Sequence, residues 1–123
     1  MPRIRAAQIL DQAGMLTADA LAKRLGVSRE TISTRLQKHE LLGLDGGKYG
    51  YRFPEWQIDE NGNAFEAIPR LFKLFGPSPW GVYRFLIQRH NVLNGATAKG
   101  VLRRGQVERV LGAAESLARC DFS

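Results

Sequence analysis

Cysteine is nearly absent from this 123-residue sequence: the single one, Cys120, lies three residues from the end. No intramolecular disulfide can form, which suits a reducing cytosol. Histidine is scarce too, and His39 and His90 stand apart from any Cys or carboxylate at metal-ligand spacing, so neither a metal site nor a cofactor is expected. Cys120 has no nearby His or motif that would make it a nucleophile. Gly43, Gly46, Gly47 and Gly50 lack the Gly-Lys-Ser/Thr ending and the following helix of a phosphate loop, and read as turn glycines. With no residues to carry catalysis, neither an enzyme nor a small-molecule substrate is expected. No apolar run approaches the roughly twenty residues of a membrane span. The first fourteen residues are charged and interrupted, unlike a signal peptide. The expectation is a cytoplasmic protein without a membrane partner. Internal repeats and low-complexity stretches are missing as well.

What is present is apolar enough to fold and basic enough to suggest a polyanion. Hydrophobic residues make up 44% of the chain, too many for a disordered segment. Eighteen Lys and Arg against twelve Asp and Glu leave a formal charge of +6. Residues 1–54 hold nine basic and five acidic side chains, and residues 55–123 hold nine and seven, so the excess sits mainly in the first half. Two lobes of about sixty residues would each bury little surface, and would be expected to lean on each other or on a second copy.

Hydrophobic spacing predicts a first helix over 3–13, from Ile4, Ala7 and Leu10. Thr17 is placed to cap a second helix to residue 24, with Gly26 breaking it, and Ser28 a third to about residue 39. Helix, Gly-containing turn, helix is the spacing of a helix-turn-helix. Asp45-Gly46 is a tight-turn signal between short strands at 42–44 and 49–53, and Pro54 ends the second strand. The polar segment 57–63 reads as a linker. Helical periodicity then returns over 67–75, over 79 to about 89 behind Ser78-Pro79, over 97–104 behind the Asn94-Gly95 turn, and over 106–119. The expected architecture is mainly α: a winged helix-turn-helix with one short β-hairpin (1–56), the linker (57–63), and a small C-terminal helical bundle (64–123).

In a helix-turn-helix the second helix enters the major groove and its N-terminal residues reach base edges. The exposed candidates here are Arg29, Glu30, Ser33, Thr34 and Gln37. Arg29 suits guanine O6 and N7, and Gln37 suits adenine. Arg35 and Lys38 flank that face as phosphate contacts, and Ser28 leaves backbone N–H groups free toward a phosphate. Lys48, Tyr49 and Arg52 would form a wing on the backbone or minor groove. A plain three-helix bundle with a solvated polar face would show much of the same pattern. The combination adds to it: residues 16–57 resemble the winged helix-turn-helix of the MerR and excisionase class. The matching stretches are Leu16-Thr17-Ala18-Asp19-Ala20-Leu21-Ala22, Leu25-Gly26-Val27-Ser28-Arg29-Glu30-Thr31-Ile32 and Gly50-Tyr51-Arg52-Phe53-Pro54. Double-stranded operator DNA is the expected partner, read by a homodimer because two-fold operators usually need a dimeric reader.

In the second half, Trp80, Tyr83, Phe85 and Leu86 are too many large apolar groups for one face of one helix. Core packing and a partner surface are both open to them. Residues 64–118 resemble the toxin-binding domain of Xre/MbcA/ParS-type antitoxins, through the Trp80 helix, the Leu93/Gly95/Thr97 turn and the Leu102-to-Gly105 step. Asn94 stands where that family has a first glycine, and Ala98 where it has a proline. The resemblance implies an antitoxin that binds a cognate protein toxin, often of the NAD-consuming RES class, and represses its own operon. It also implies Arg109, Arg119, Asp121, Phe122 and Ser123 as candidates to block the toxin, beside Trp80 and Tyr83 as the partner-facing candidates of the apolar set. The alternative is a stand-alone DNA-binding regulator, excisionase-like or from a plasmid or phage, whose C-terminal helices only dimerise.

Overall fold

The computed structural model describes residues 14–45, 50–59 and 62–120, with the backbone alone at Arg119 and Cys120. The helix expected over 3–13 and the hairpin tip lie outside these residues. The described chain is mainly helical, with a small antiparallel sheet. Its helices are α1 (Ala18–Leu25), α2 (Arg29–Gln37), α3 (Ala67–Phe75), α4 (Pro79–Ile87), α5 (Ala98–Arg103) and α6 (Val107–Cys120). None is long and apolar enough to cross a membrane.

Capping chemistry starts the helices where the sequence predicts. The Thr17 hydroxyl accepts from the Ala20 N–H, and Gly26 closes α1 at φ +69°, a left-handed turn that suits a residue without Cβ. The Ser28 hydroxyl accepts from the Thr31 N–H at 3.2 Å and opens α2. Thr97 does the same for α5 through Gly100. Ser78 stands at the cap of α4 with Pro79 behind it, but its side chain makes no capping bond. That helix ends at Ile87, earlier than predicted, because Gln88 turns extended and Arg89 pairs with Thr97 in an isolated bridge.

The sheet has three strands in the order β1 (Met15–Leu16), β3 (Tyr51–Pro54), β2 (Leu44–Asp45). β2 and β3 pair as the expected hairpin, Leu44 opposite Arg52, but Asp45 is a strand residue opposite Tyr51 and not the first residue of a tight turn. β1 adds a strand to the other edge of β3, Leu16 opposite Phe53. Two residues of strand give no periodicity to detect.

Two apolar clusters form. The smaller gathers Leu21, Ala22, Ile32, Leu41, Phe53 and Ile58. The larger is built on α3 to α6 and takes in Leu42 and Leu44 from the first half. Across the segment expected as a linker, Ile58 bridges Ala64, and the Asp59 N–H reaches the Asn63 carbonyl at 2.7 Å. Its first residue, Gln57, is fully buried. The Gln57 carboxamide accepts from the Leu42 N–H at 2.8 Å and donates to the Leu42 carbonyl at 2.8 Å and the Pro54 carbonyl at 3.0 Å. It occupies the place of a neighbouring strand's peptide group, which is why so polar a side chain can be buried.

Candidate nucleic-acid interface

α2 commits little of itself to the core. Ile32 is its buried side chain, while Arg29, Glu30, Ser33, Thr34 and Gln37, with Ser28 before it and Lys38 after it, are exposed. Arg35 is half-buried. The polar candidates of α2 therefore face solvent, with Ser33 and Gln37 on the side toward the second half. Asp19 on α1 faces Arg29 Nε at 3.4 Å. Thr34 donates its hydroxyl to the Glu30 carbonyl at 3.1 Å, and Ser28 and Thr31 share a hydroxyl contact at 3.0 Å. The first backbone N–H groups of α2, ahead of the one used by Ser28, have no carbonyl within the helix to bond.

Behind this surface the packing is close. Gly43 passes so near α2 and β3 that an added Cβ would stand 2.8 Å from Leu36 Cδ1 and 2.8 Å from Phe53 Cε2. Arg24 and Glu55 join α1 to the residue after β3 at 3.1 Å. His39, just past α2, has φ +60° and lays its ring on Phe72 of α3, with centroids 4.5 Å apart and planes 13° from parallel.

Of the wing candidates, Lys48 and Tyr49 lie outside the described residues. Arg52 is half-buried and donates to the Tyr51 carbonyl at 3.2 Å. Tyr51, absent from the sequence-based candidates, is 43% exposed. It lines a groove of about 320 Å³ with Ser33 and Gln37 on one side and Phe72, Pro77 and Pro79 on the other. Strand alternation was the available signal, since Tyr51 stands two residues before the buried Phe53 on the same face of β3.

The partner-binding candidates divide. Tyr83 is 5% exposed and belongs to the larger core, stacked on Trp56 at 6.2 Å and met edge-on by Trp80 at 6.0 Å. Burial raises its phenol above the ordinary value of 10.0. Tyr83 is thus an interior residue, and Trp80, half-buried, packs on the same cluster. Lys99 sits over Trp56 at 5.3 Å. Arg109 is exposed and donates to Gln106 at 2.7 Å. The side chain of Arg119, with Asp121, Phe122 and Ser123, lies outside the described residues.

His90 is buried, with Nε2 2.8 Å from the Phe85 carbonyl and its ring against Phe85, so it serves the core. Among the described residues no group of three or more His, Cys, Asp or Glu could hold a metal ion.

No family model matches the chain, and no curated protein does. Among solved structures it is similar in fold to the NMR structure of Rv2175c, with a TM-score of 0.76 at 19% sequence identity. The likeness covers 89% of this chain and 85% of that one.

Proposed function

We propose that this chain is a DNA-binding transcriptional regulator whose first half works as a winged helix-turn-helix. α2 is the reading helix. Arg29 and Gln37 contact base edges, Glu30, Ser33 and Thr34 sort neighbouring bases, and Arg35 and Lys38 hold phosphates. The hairpin of β2 and β3 is the wing. The observation that carries the reading is the state of α2: a capped helix whose polar side chains stand in solvent, with Ile32 holding it from beneath. A helix that contributes so little to the core is free to present its outer face to a duplex. Binding as a homodimer to a two-fold operator is part of the proposal.

The test is titration of the full chain against duplex from its own upstream region and against random duplex, across about 50 to 200 mM salt. The expected result is tighter binding to its own sequence, with affinity on both falling linearly on a log–log plot as salt rises. Retention that is absent, or indifferent to salt, overturns the reading.

A second reading adds toxin neutralisation by the C-terminal half. It is favoured by the turn at Asn94 (φ +57°) and Gly95 (φ +81°) ahead of the Thr97 cap, the layout the antitoxin resemblance requires, and by the exposure of Arg109. Burial of Tyr83 removes one of its contact residues. Co-expression with the product of the neighbouring gene separates the two: a stable complex supports an antitoxin, and its absence leaves the regulator alone.

A further inference from the structure

We propose that the second half of the chain borders the DNA directly: the groove between α2 and the turn ahead of α4 takes one sugar–phosphate strand of the duplex. This rests on the reading of α2 given above. The two long sides of α2 differ in chemistry. One mixes Thr31, Thr34, Arg35 and Lys38 with the carboxylates of Glu30 and Glu40. The other, where Ser33 and Gln37 lie one turn apart, opens into the 320 Å³ groove walled by Tyr51, Phe72, Pro77 and Pro79. Among the described residues, none that lines it is acidic.

Tyr51 is exposed, so its phenol O–H is the groove's donor to a phosphate, while Ser33 and Gln37 beside it keep their place at the bases. Leu36 and Phe72 supply apolar surface beneath them, suited to the carbon face of deoxyribose. The major groove of B-DNA is only about 12 Å wide, so a helix lying in it is flanked by a phosphate strand on each side. Arg35 and Lys38 take the strand on the first side, beside Glu30 and Glu40, and the groove takes the strand on the other. Because Pro77 and Pro79 form the far wall, that strand runs between the two halves of the protein.

Pro77 is exposed and outside any helix, so a charge placed there senses what passes without altering α2. The full chain and its Pro77→Glu and Pro77→Lys variants are titrated against own-sequence and random duplex over a range of salt, with thermal melting to verify folding. Pro77→Glu is expected to weaken both duplexes alike, by about three- to tenfold near 0.1 M salt. Pro77→Lys is expected to tighten both and steepen the salt slope by about one unit. Tyr51→Phe, which keeps the ring and removes the donor, is expected to cost about threefold on both. Unchanged affinity and slope in both Pro77 variants, with the wild type still binding, overturn this inference and leave the reading of α2 standing. A wild type that binds no duplex overturns both. Should the Glu variant melt early, the Lys variant decides.

Discussion

In the proposed complex with DNA, Arg29 reaches a base only by leaving Asp19. The two side chains are 72% and 69% exposed and 3.4 Å apart, a geometry in which an ion pair contributes about 0–1 kcal/mol. A bidentate arginine–guanine contact discriminates by about 1–3 kcal/mol, so the base wins the competition. Arg29→Ala is therefore expected to weaken own-sequence binding by about 1–3 kcal/mol and to relax selectivity at one base pair. Asp19→Asn should act oppositely and without selectivity, tightening own and random duplex together by removing a negative charge near the phosphates. Competition binding with single-base operator variants reads both effects. Equal losses on own and random DNA for Arg29→Ala would reassign Arg29 to a phosphate.

At the scale of elements, the hold on α2 comes from beneath, where Gly43 lets Leu36 and Phe53 close over the backbone. Gly43→Ala would set a methyl group 2.8 Å from both. The Leu36 methyl can swing aside, but Phe53 is 1% exposed and hemmed in by the smaller core. A loss of about 1–3 kcal/mol is expected, read as a lower denaturant midpoint at unchanged slope. The helices around this contact were legible in the sequence because Thr17, Ser28 and Thr97 announce their starts locally and Gly26 and Asn94-Gly95 announce stops. β1 was not, because its two residues have no pattern apart from their partner strand. Gln57 was hidden for a different reason: a polar residue in a polar run looks solvated until Leu42 and Pro54 supply its bonds. The exposed face of α2 could be read from helical spacing. The groove beside it could not, since it needs Ser33 and Tyr51 to meet Phe72 and Pro77 across a long stretch of chain.

At the scale of the whole molecule, the described residues form two apolar clusters, and one connecting stretch of backbone serves both. Leu41 enters the smaller cluster, and Leu42 and Leu44 enter the larger. Unfolding is accordingly expected as one transition: tryptophan fluorescence from Trp56 and Trp80 should change at the same denaturant concentration as far-UV circular dichroism. Phe72 is 5% exposed and carries the His39 stack, so Phe72→Ala is expected to cost about 3–5 kcal/mol and to move both signals together. Separate transitions would mean that the halves are held by their own clusters alone. The same leucines and the His39–Phe72 stack set a rule for any molecule that settles on α5 or α6. Close-packed joints yield little to small forces, so these contacts give such a visitor little purchase for tilting α2. Under the proposed DNA-binding reading, it acts by standing in the way or by bringing its own charge alongside.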